Sequence, residues 1–284
     1  MQMLSNLLFD LPMILGSGIN NGGITVKKAD YHIHSDFSPD STLTMDQACE
    51  KAISLGLEEL CFTDHFEIAG ESVIDYGKYR QAVLRARERY GKQLSLKVGL
   101  EVGFDKNSQH QIQEYLRDKD FDFLIGSLHR AEGLDLFNGD FFRGKELKTA
   151  FSDYFNVIHE SIPSFEFSVL GHITLIKRFF QQLKVNPSDI LWSYYDEQIH
   201  AILQDLIARG KGIELNLRNS LIDLDFRVLR LYKELGGEIV TLGTDSHHTT
   251  SMHAMEEGFQ ALQEVGFRYY FIFEQLNPSF VSIE

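Results

Sequence analysis

The chain has 284 residues, 43% of them hydrophobic and 12% aromatic, which suffices for a packed core in one large domain. A net charge of −14 with no basic run argues against a nucleic-acid or anionic-membrane partner, so an anionic substrate would need something locally positive to draw it in. Two cysteines, Cys49 and Cys61, form neither a disulfide framework nor a cysteine-zinc pattern, which suits a reducing, cytoplasmic setting.

The N-terminal "MQMLSNLLFDLPMILGSG" is apolar, but Asp10 and Pro12 interrupt it and no basic residue precedes it. It makes a poor signal peptide and is too short to span a membrane. With "GSGINNGG" behind it, residues 1–27 read as an extension and linker, and residues 28–284 as the domain. From Lys28 onward, strand-like and helix-like segments alternate. "ADYHI" precedes "TMDQACEKAISLG", where Thr44 and Gln47 predict a capping box. "EELCFT" precedes the helix "YGKYRQAVLRARERYG", and "LSLKVGLEV" precedes "HQIQEYLRDK". "FDFLIGSL" precedes "KELKTAFSDYFNVIHES", and "FSVLGHI" precedes a long helix in "SDILWSYYDEQIHAILQDLIARG". "GIELN" then leads to "FRVLRLYKELGG", and "EIVTLGTD" to "MHAMEEGFQALQEVG"; an aromatic strand, "RYYFIF", comes before the tail. Repeated strand–helix units of this length predict an α/β fold with a parallel sheet, open or closed into a barrel.

The histidines and acids do not scatter along these elements. His32 and His34 end the first strand, His65 follows the second, Glu101 ends the third and His129 the fourth. His172 ends the fifth, Asp245 and His247 close the seventh, and the sixth offers Asn216. In a parallel barrel every strand's C-terminal end reaches the same rim, where such folds keep their chemistry. One histidine at a strand end is ordinarily a hydrogen-bonded structural residue. Six of eleven on one rim is hard to ascribe to chance, since each would need its own burial or solvation. The other five (His110, His159, His200, His248 and His253) fall mostly on helices or loops and read as surface or packing residues. Imidazole and carboxylate without thiolate suit Zn²⁺, Mn²⁺ or Fe. So many ligands exceed one ion's needs, and a central carboxylate can bridge metals roughly 3.5–4 Å apart.

At this point a family likeness appears. "HIH", "TDH", "GLEVGF", "GSLH", "LGHITLIKRF", "IELN" and "GTDSHH" stand in an order that resembles the polymerase-and-histidinol-phosphatase (PHP) metallohydrolases, in their histidinol-phosphatase branch. The likeness runs from about residue 30 to about residue 248. It implies a distorted (β/α)7 TIM-like barrel with three divalent metal ions at the C-terminal rim. His32, His34, Glu101 and Asp245 would hold one metal; Glu101 would bridge to a second, completed by His129 and His172. Asp40, His65 and His247 would hold the third.

The branch likeness raises Arg178 and Arg218 to phosphate-binding candidates, and an arginine fork matches phosphate oxygens. Lys177 lies near the same rim, and Arg130 is either a further phosphate contact or a surface residue. Asp64 reads as a hydrogen-bonding neighbour of the site, Asp36 as a turn residue, and Phe66 and Glu67 as contacts for the substrate's amine or imidazole. The expected function is a metal-dependent phosphomonoesterase acting on a small phosphorylated substrate, L-histidinol phosphate. A metal-activated water would attack phosphorus, with Glu101, Asp245 and His247 as catalytic groups. No GxSxG elbow or phosphate-cradling glycine loop suggests a side-chain nucleophile. The alternatives are another small phosphate ester or a nucleotide end, a non-catalytic metal-binding domain, and an amidohydrolase barrel. A non-catalytic domain should have lost ligands, and here all nine positions are filled. The amidohydrolase ligand set fits less well.

Overall fold

The computed structural model describes residues 26–70 and 72–284. The expectation for residues 1–27 therefore falls, up to residue 25, outside the described residues. Seven parallel strands follow one another around the fold in chain order: β1 (Ala29–Ile33), β2 (Glu59–Phe62), β3 (Ser95–Gly103), β4 (Phe123–Ser127), β5 (Val169–Leu170), β6 (Gly212–Asn216) and β7 (Val240–Gly243). The ring closes just beyond the last strand, where Asp245 N–H donates to His32 O at 2.7 Å and His34 N–H to Ser246 O at 2.9 Å. The expected (β/α)7 barrel is what forms. A single hydrophobic core runs from Ala29 to Ile283, as a sheet covered by helices on its outer face requires.

The outer layer consists of α1 (Met45–Ser54), α2 (Tyr76–Tyr90), α3 (Gln109–Leu116), α4 (Leu147–Ser161), α5 (Asp196–Ala208), α6 (Asp223–Glu234) and α7 (Glu256–Val265). The Thr44–Gln47 capping box is present at the start of α1. Cys49 lies in α1 and Cys61 in β2; both are buried free thiols.

Two expectations differ from the structure. The long helix after Pro187 begins only at Asp196, because 3-10 turns at Pro187–Asp189 and Trp192–Tyr195 occupy its first part. The aromatic strand β8 (Tyr269–Glu274) does not join the barrel; it pairs antiparallel with the tail, β9 (Asn277–Ser282). Their turn residues, Gln275 and Leu276, have φ of 50° and 64°, the geometry of a tight hairpin turn without its usual Asn-Gly signature. This hairpin lies across the N-terminal end of the barrel, where Tyr270 Oη donates to Lys27 O at 2.7 Å and Leu276 N–H to Asp122 O at 2.9 Å.

β1 carries one extra residue relative to β2 between Asp30 and Ile33. Such a bulge shifts the in–out alternation and re-aims side chains. Tyr31 packs edge-on against Phe123 of β4 at 5.0 Å, and the next residue, His32, reaches Glu214 of β6. Neither strand neighbours β1, so both side chains point into the barrel: Tyr31 plugs its lower half and His32 opens into the upper half.

Candidate metal centre

The strand ends and the loops that follow them bring all nine candidate ligands to one bowl at the C-terminal rim. His32 and His34 come from the bulged end of β1. His65 lies on a two-residue strand, His65–Phe66, that pairs with Glu101 and Val102 of β3. His129, His172, Asp245 and His247 follow β4, β5 and β7 directly. The backbone turns sharply at His172 (φ 20°) and Asp245 (φ 51°), an unusual conformation for residues with side chains and one that recurs where chemistry demands it.

Glu101, 1% exposed, stands at the centre. Its Oε1 lies 2.7 Å from His172 Nε2 and 3.2 Å from His129 Nε2. Its Oε2 lies 3.4 Å from Nε2 of both His32 and His34, and 2.9 Å from His65 Nδ1. Asp245 Oδ1 is 3.5 Å from His34 Nε2 and 3.9 Å from His32 Nε2. Asp40 reaches in from the loop after β1, with Oδ2 at 3.4 Å from His65 Nε2 and 3.2 Å from His247 Nε2. Among groups able to share one ion are His32, His34 and Asp245; Glu101, His129 and His172; and His34, His65 and His247. The first two coincide with expected ligand sets apart from Glu101's place in the first. The third draws His34 toward the pair expected to act with Asp40.

The donor set fits divalent metal. Among the described residues, Glu101 Oε2, His65 Nδ1 and His247 Nε2 are buried without a hydrogen bond, because the close approaches of Glu101 Oε2 to His65 Nδ1 and of Asp40 Oδ2 to His247 Nε2 lack hydrogen-bond geometry. Buried polar atoms are otherwise almost always paired, so these orphans facing one space suit metal lone-pair acceptors. The electrostatics agree. Burial alone would lower the His32 pKa, yet Glu214, Glu101 and Asp245 hold it well above that of a free imidazole. Burial is likewise outweighed at His129, raised to about 9 by Glu101 and Glu67. His34 goes the other way, pushed well down by burial and by His65. Burial would raise the Glu101 carboxyl, but His129, His32 and His65 hold it well below its usual range. Without metal, protons on histidines must balance this buried acid; bound cations would take over that role.

Two acids hold these imidazoles in place: Glu214, which the sequence does not mark as a site residue, and Glu67, which it marks only as a substrate contact. Glu214 is 4% exposed and accepts from His32 Nδ1–H at 2.6 Å and from His172 N–H at 2.8 Å. Gly243 makes room: a Cβ there would stand 2.3 Å from His32 Cβ and 2.4 Å from Glu214 Oε1. Glu67 accepts a short hydrogen bond from His129 Nδ1–H and is itself buried enough to line the pocket wall. The only signal for Glu214 in the sequence is its phase, two residues before Asn216 on β6.

The arginines converge on one carboxylate. Arg178 donates to Asp245 Oδ2 at 2.5 Å and to Asn216 Oδ1 at 2.9 Å; Arg218 donates to Asp245 Oδ1 at 2.8 Å. Both line a cavity of about 270 Å³ together with Glu101, His129, His172 and His247. The other candidates lie elsewhere. Lys177 is locked in a buried ion pair with Asp225 at 2.8 Å. Arg130 pairs with Asp135 at 3.2 Å and does not line this cavity. Phe66 is fully buried and stacks on Tyr115 at 3.9 Å, so it cannot touch a ligand here. Asp64 accepts from Ser35 N–H at 2.6 Å and Ser38 Oγ at 2.7 Å, in the structural position expected of it, and Asp36 is exposed on the loop.

Comparison with known proteins gives a consistent picture. A family model described as PHP domain matches residues 30–218. The histidinol-phosphatase of Lactococcus lactis is 31% identical over 234 residues, covering 78% of this chain and 85% of that protein. The histidinol-phosphatase of Bacillus subtilis is 25% identical over 224 residues, covering 69% and 81%. Among solved structures, the Lactococcus lactis histidinol phosphate phosphatase, complexed with zinc, L-histidinol and phosphate, superposes with a TM-score of 0.79 at 27% identity. It covers 90% of this chain and 100% of that one.

Proposed function

The chain belongs to the PHP domain family, and on that premise we propose that it is a metal-dependent phosphomonoesterase that hydrolyses L-histidinol phosphate to L-histidinol and phosphate. The observation that carries this reading is the set of orphaned ligand atoms on Glu101, His65 and His247, facing one space beside two arginines. The similarity to a phosphatase solved with zinc, L-histidinol and phosphate supports the substrate. A cavity of about 270 Å³ suits a small ester rather than a polymer. The catalytic unit under this reading is the barrel of residues 28–284.

His32, His34, Asp40, His65, Glu101, His129, His172, Asp245 and His247 would hold three divalent ions, with Glu101 shared between two of them. Bound ions supply Lewis acidity toward the phosphoryl oxygens and a lowered pKa for the attacking water. The chain's own groups do the rest. Arg178 and Arg218 hold the non-bridging oxygens, their guanidinium forks oriented by Asn216 and Asp245. Glu214 and Glu67 fix the tautomers of His32 and His129 so that each Nε2 faces the bowl. Asp245 and His247, at the same wall as the arginines, are placed to take up the proton that the attacking water gives up and to return it to the departing alkoxide.

The test is phosphate release from L-histidinol phosphate and from a panel of sugar phosphates and nucleotides, by chelator-treated protein and by the same protein reloaded with zinc or manganese. Metal-restored turnover with strong preference for L-histidinol phosphate is expected. Turnover confined to another ester would overturn the substrate, and metal binding without turnover of any ester would overturn the enzyme.

A further inference from the structure

The cavity has one face unlike the rest. Its walls are acids, histidines, arginines, glycine, serine and proline, except for Phe137, the only phenylalanine that lines it. Phe137 is 50% exposed, and among the described residues it is the one phenylalanine counted as exposed. A single exposed ring is ordinary on a protein surface, but this one stands in the wall of the cavity, where it offers an aromatic face to whatever enters.

The ring is held rather than loose. Its backbone N–H donates to Asp135 Oδ1 at 2.7 Å, and Asp135 is pinned by Arg130 at 3.2 Å across the short hairpin that follows β4. Behind it, the buried ring of Phe179 meets Phe137 edge-on at 5.6 Å and 80°, and Phe142 backs Phe179 at 5.3 Å. On the other side the His129 ring lies 5.7 Å away. Phe179 directly follows Arg178 in the 3-10 turn Leu175–Phe179. One rigid turn thus carries both the phosphate-facing guanidinium and the support of the aromatic face, which fixes the spacing between them.

Resting on the proposed reaction, we propose that Phe137 is a specificity-determining residue: the imidazole ring of the substrate stacks on it while the phosphate lies between Arg178 and Arg218. A flat ring attached through a short aliphatic stem to a phosphate has the two chemistries that these two parts of the cavity wall would recognise. Phe137 makes its contact equally in the ground and transition states, so it should act on KM and spare kcat.

The experiment compares L-histidinol phosphate with O-phosphoethanolamine, which keeps an amine and a phosphate but has no ring, using zinc-loaded wild type, Phe137→Ala and Phe137→Tyr. Phe137→Ala is expected to raise KM for L-histidinol phosphate about tenfold, the size of one desolvated aromatic contact, with kcat and bound zinc unchanged. Its kcat/KM for O-phosphoethanolamine should stay at the wild-type value, and Phe137→Tyr should restore KM for the ring-bearing ester. If wild type prefers L-histidinol phosphate but Phe137→Ala loses equally on both esters, or loses zinc, the ring merely props His129 and this proposal is overturned alone. A wild type that does not discriminate between the esters overturns the proposed substrate and this inference together.

Discussion

The two ends of this barrel bury acids in opposite ways. At the N-terminal end, Glu59 accepts from Tyr31 Oη at 2.6 Å and pairs with Lys27 at 3.1 Å, while the same Tyr31 oxygen accepts from Phe273 N–H at 2.8 Å. Among the described residues no buried side-chain nitrogen or oxygen there lacks a partner, and the hairpin of β8 and β9 covers the group. At the C-terminal end, Glu101 is equally buried, yet one of its oxygens and two imidazole nitrogens around it have no hydrogen-bond partner. Both acids sit inside the same parallel sheet, so burial does not separate them. Satisfaction does. The lower end is organised for stability, whereas the upper end keeps unpaired polar atoms at a cost that a bound ligand would offset.

The sharpest way to break this contrast is to neutralise the acids of the upper end and to remove a partner of the acid at the lower end. Glu101→Gln should lower kcat/KM by about a thousandfold or more, because it removes the charge shared by both halves of the bowl. The melting temperature of the metal-free protein should hold or rise, since active sites trade stability for function. A large loss of stability in that variant would place Glu101 among the structural acids instead. Glu214→Gln leaves the shape but weakens the hold on His32 and His172. Metal affinity measured by chelator competition should fall by roughly 10–100-fold; unchanged affinity would show that Glu214 only fills space.

At the lower end, Tyr31→Phe should cost about 1–3 kcal/mol of unfolding free energy, because Phe273 N–H and Glu59 both lose a buried partner. Turnover should be untouched. Lost turnover at wild-type stability would mean that the two ends are coupled through β1. A smaller effect tests the charge balance. The pKa of His129 is raised to about 9 in the metal-free protein, so its contribution to stability is fully present below about pH 6.5 and is lost as pH rises through about 9. The melting temperature of chelator-treated protein should therefore fall across that window, while the metal-loaded protein stays flat. Parallel curves would contradict the claim that cations replace protons in the bowl. Smallest of all, Lys106→Ala removes an exposed pair with Glu160 and should change stability by no more than about 0.5 kcal/mol.

The sequence made the strand ends legible because parallel strands announce themselves as short apolar runs, and histidines at their ends stand out against that background. Cofacial placement of His32 and His34 was readable from spacing alone. The bulge that turns Tyr31 and His32 both inward was not, since it is set by pairing with β2. Glu214 escaped notice because a lone acid inside "GIELN" shows nothing of the His32 ring it meets from across the barrel, and Glu67 was noted only as a substrate contact. Phe66 looked like a substrate contact because it adjoins His65, but alternation along the two-residue strand sends it into the core against Tyr115. Phe137 escaped because its position depends on the Arg130–Asp135 hairpin, which no periodic pattern marks. The hairpin of β8 and β9 was half visible: the first strand read clearly, while a turn built on Gln275 and Leu276 carries no glycine to announce it.

The most direct measurement is phosphate release from L-histidinol phosphate by zinc-loaded wild type and Glu101→Gln, with bound metal and melting temperature recorded on the same samples. The account predicts rapid release by wild type and its near abolition in a variant that remains folded. Equal release by both proteins, or none by a fully metal-loaded wild type, would contradict it.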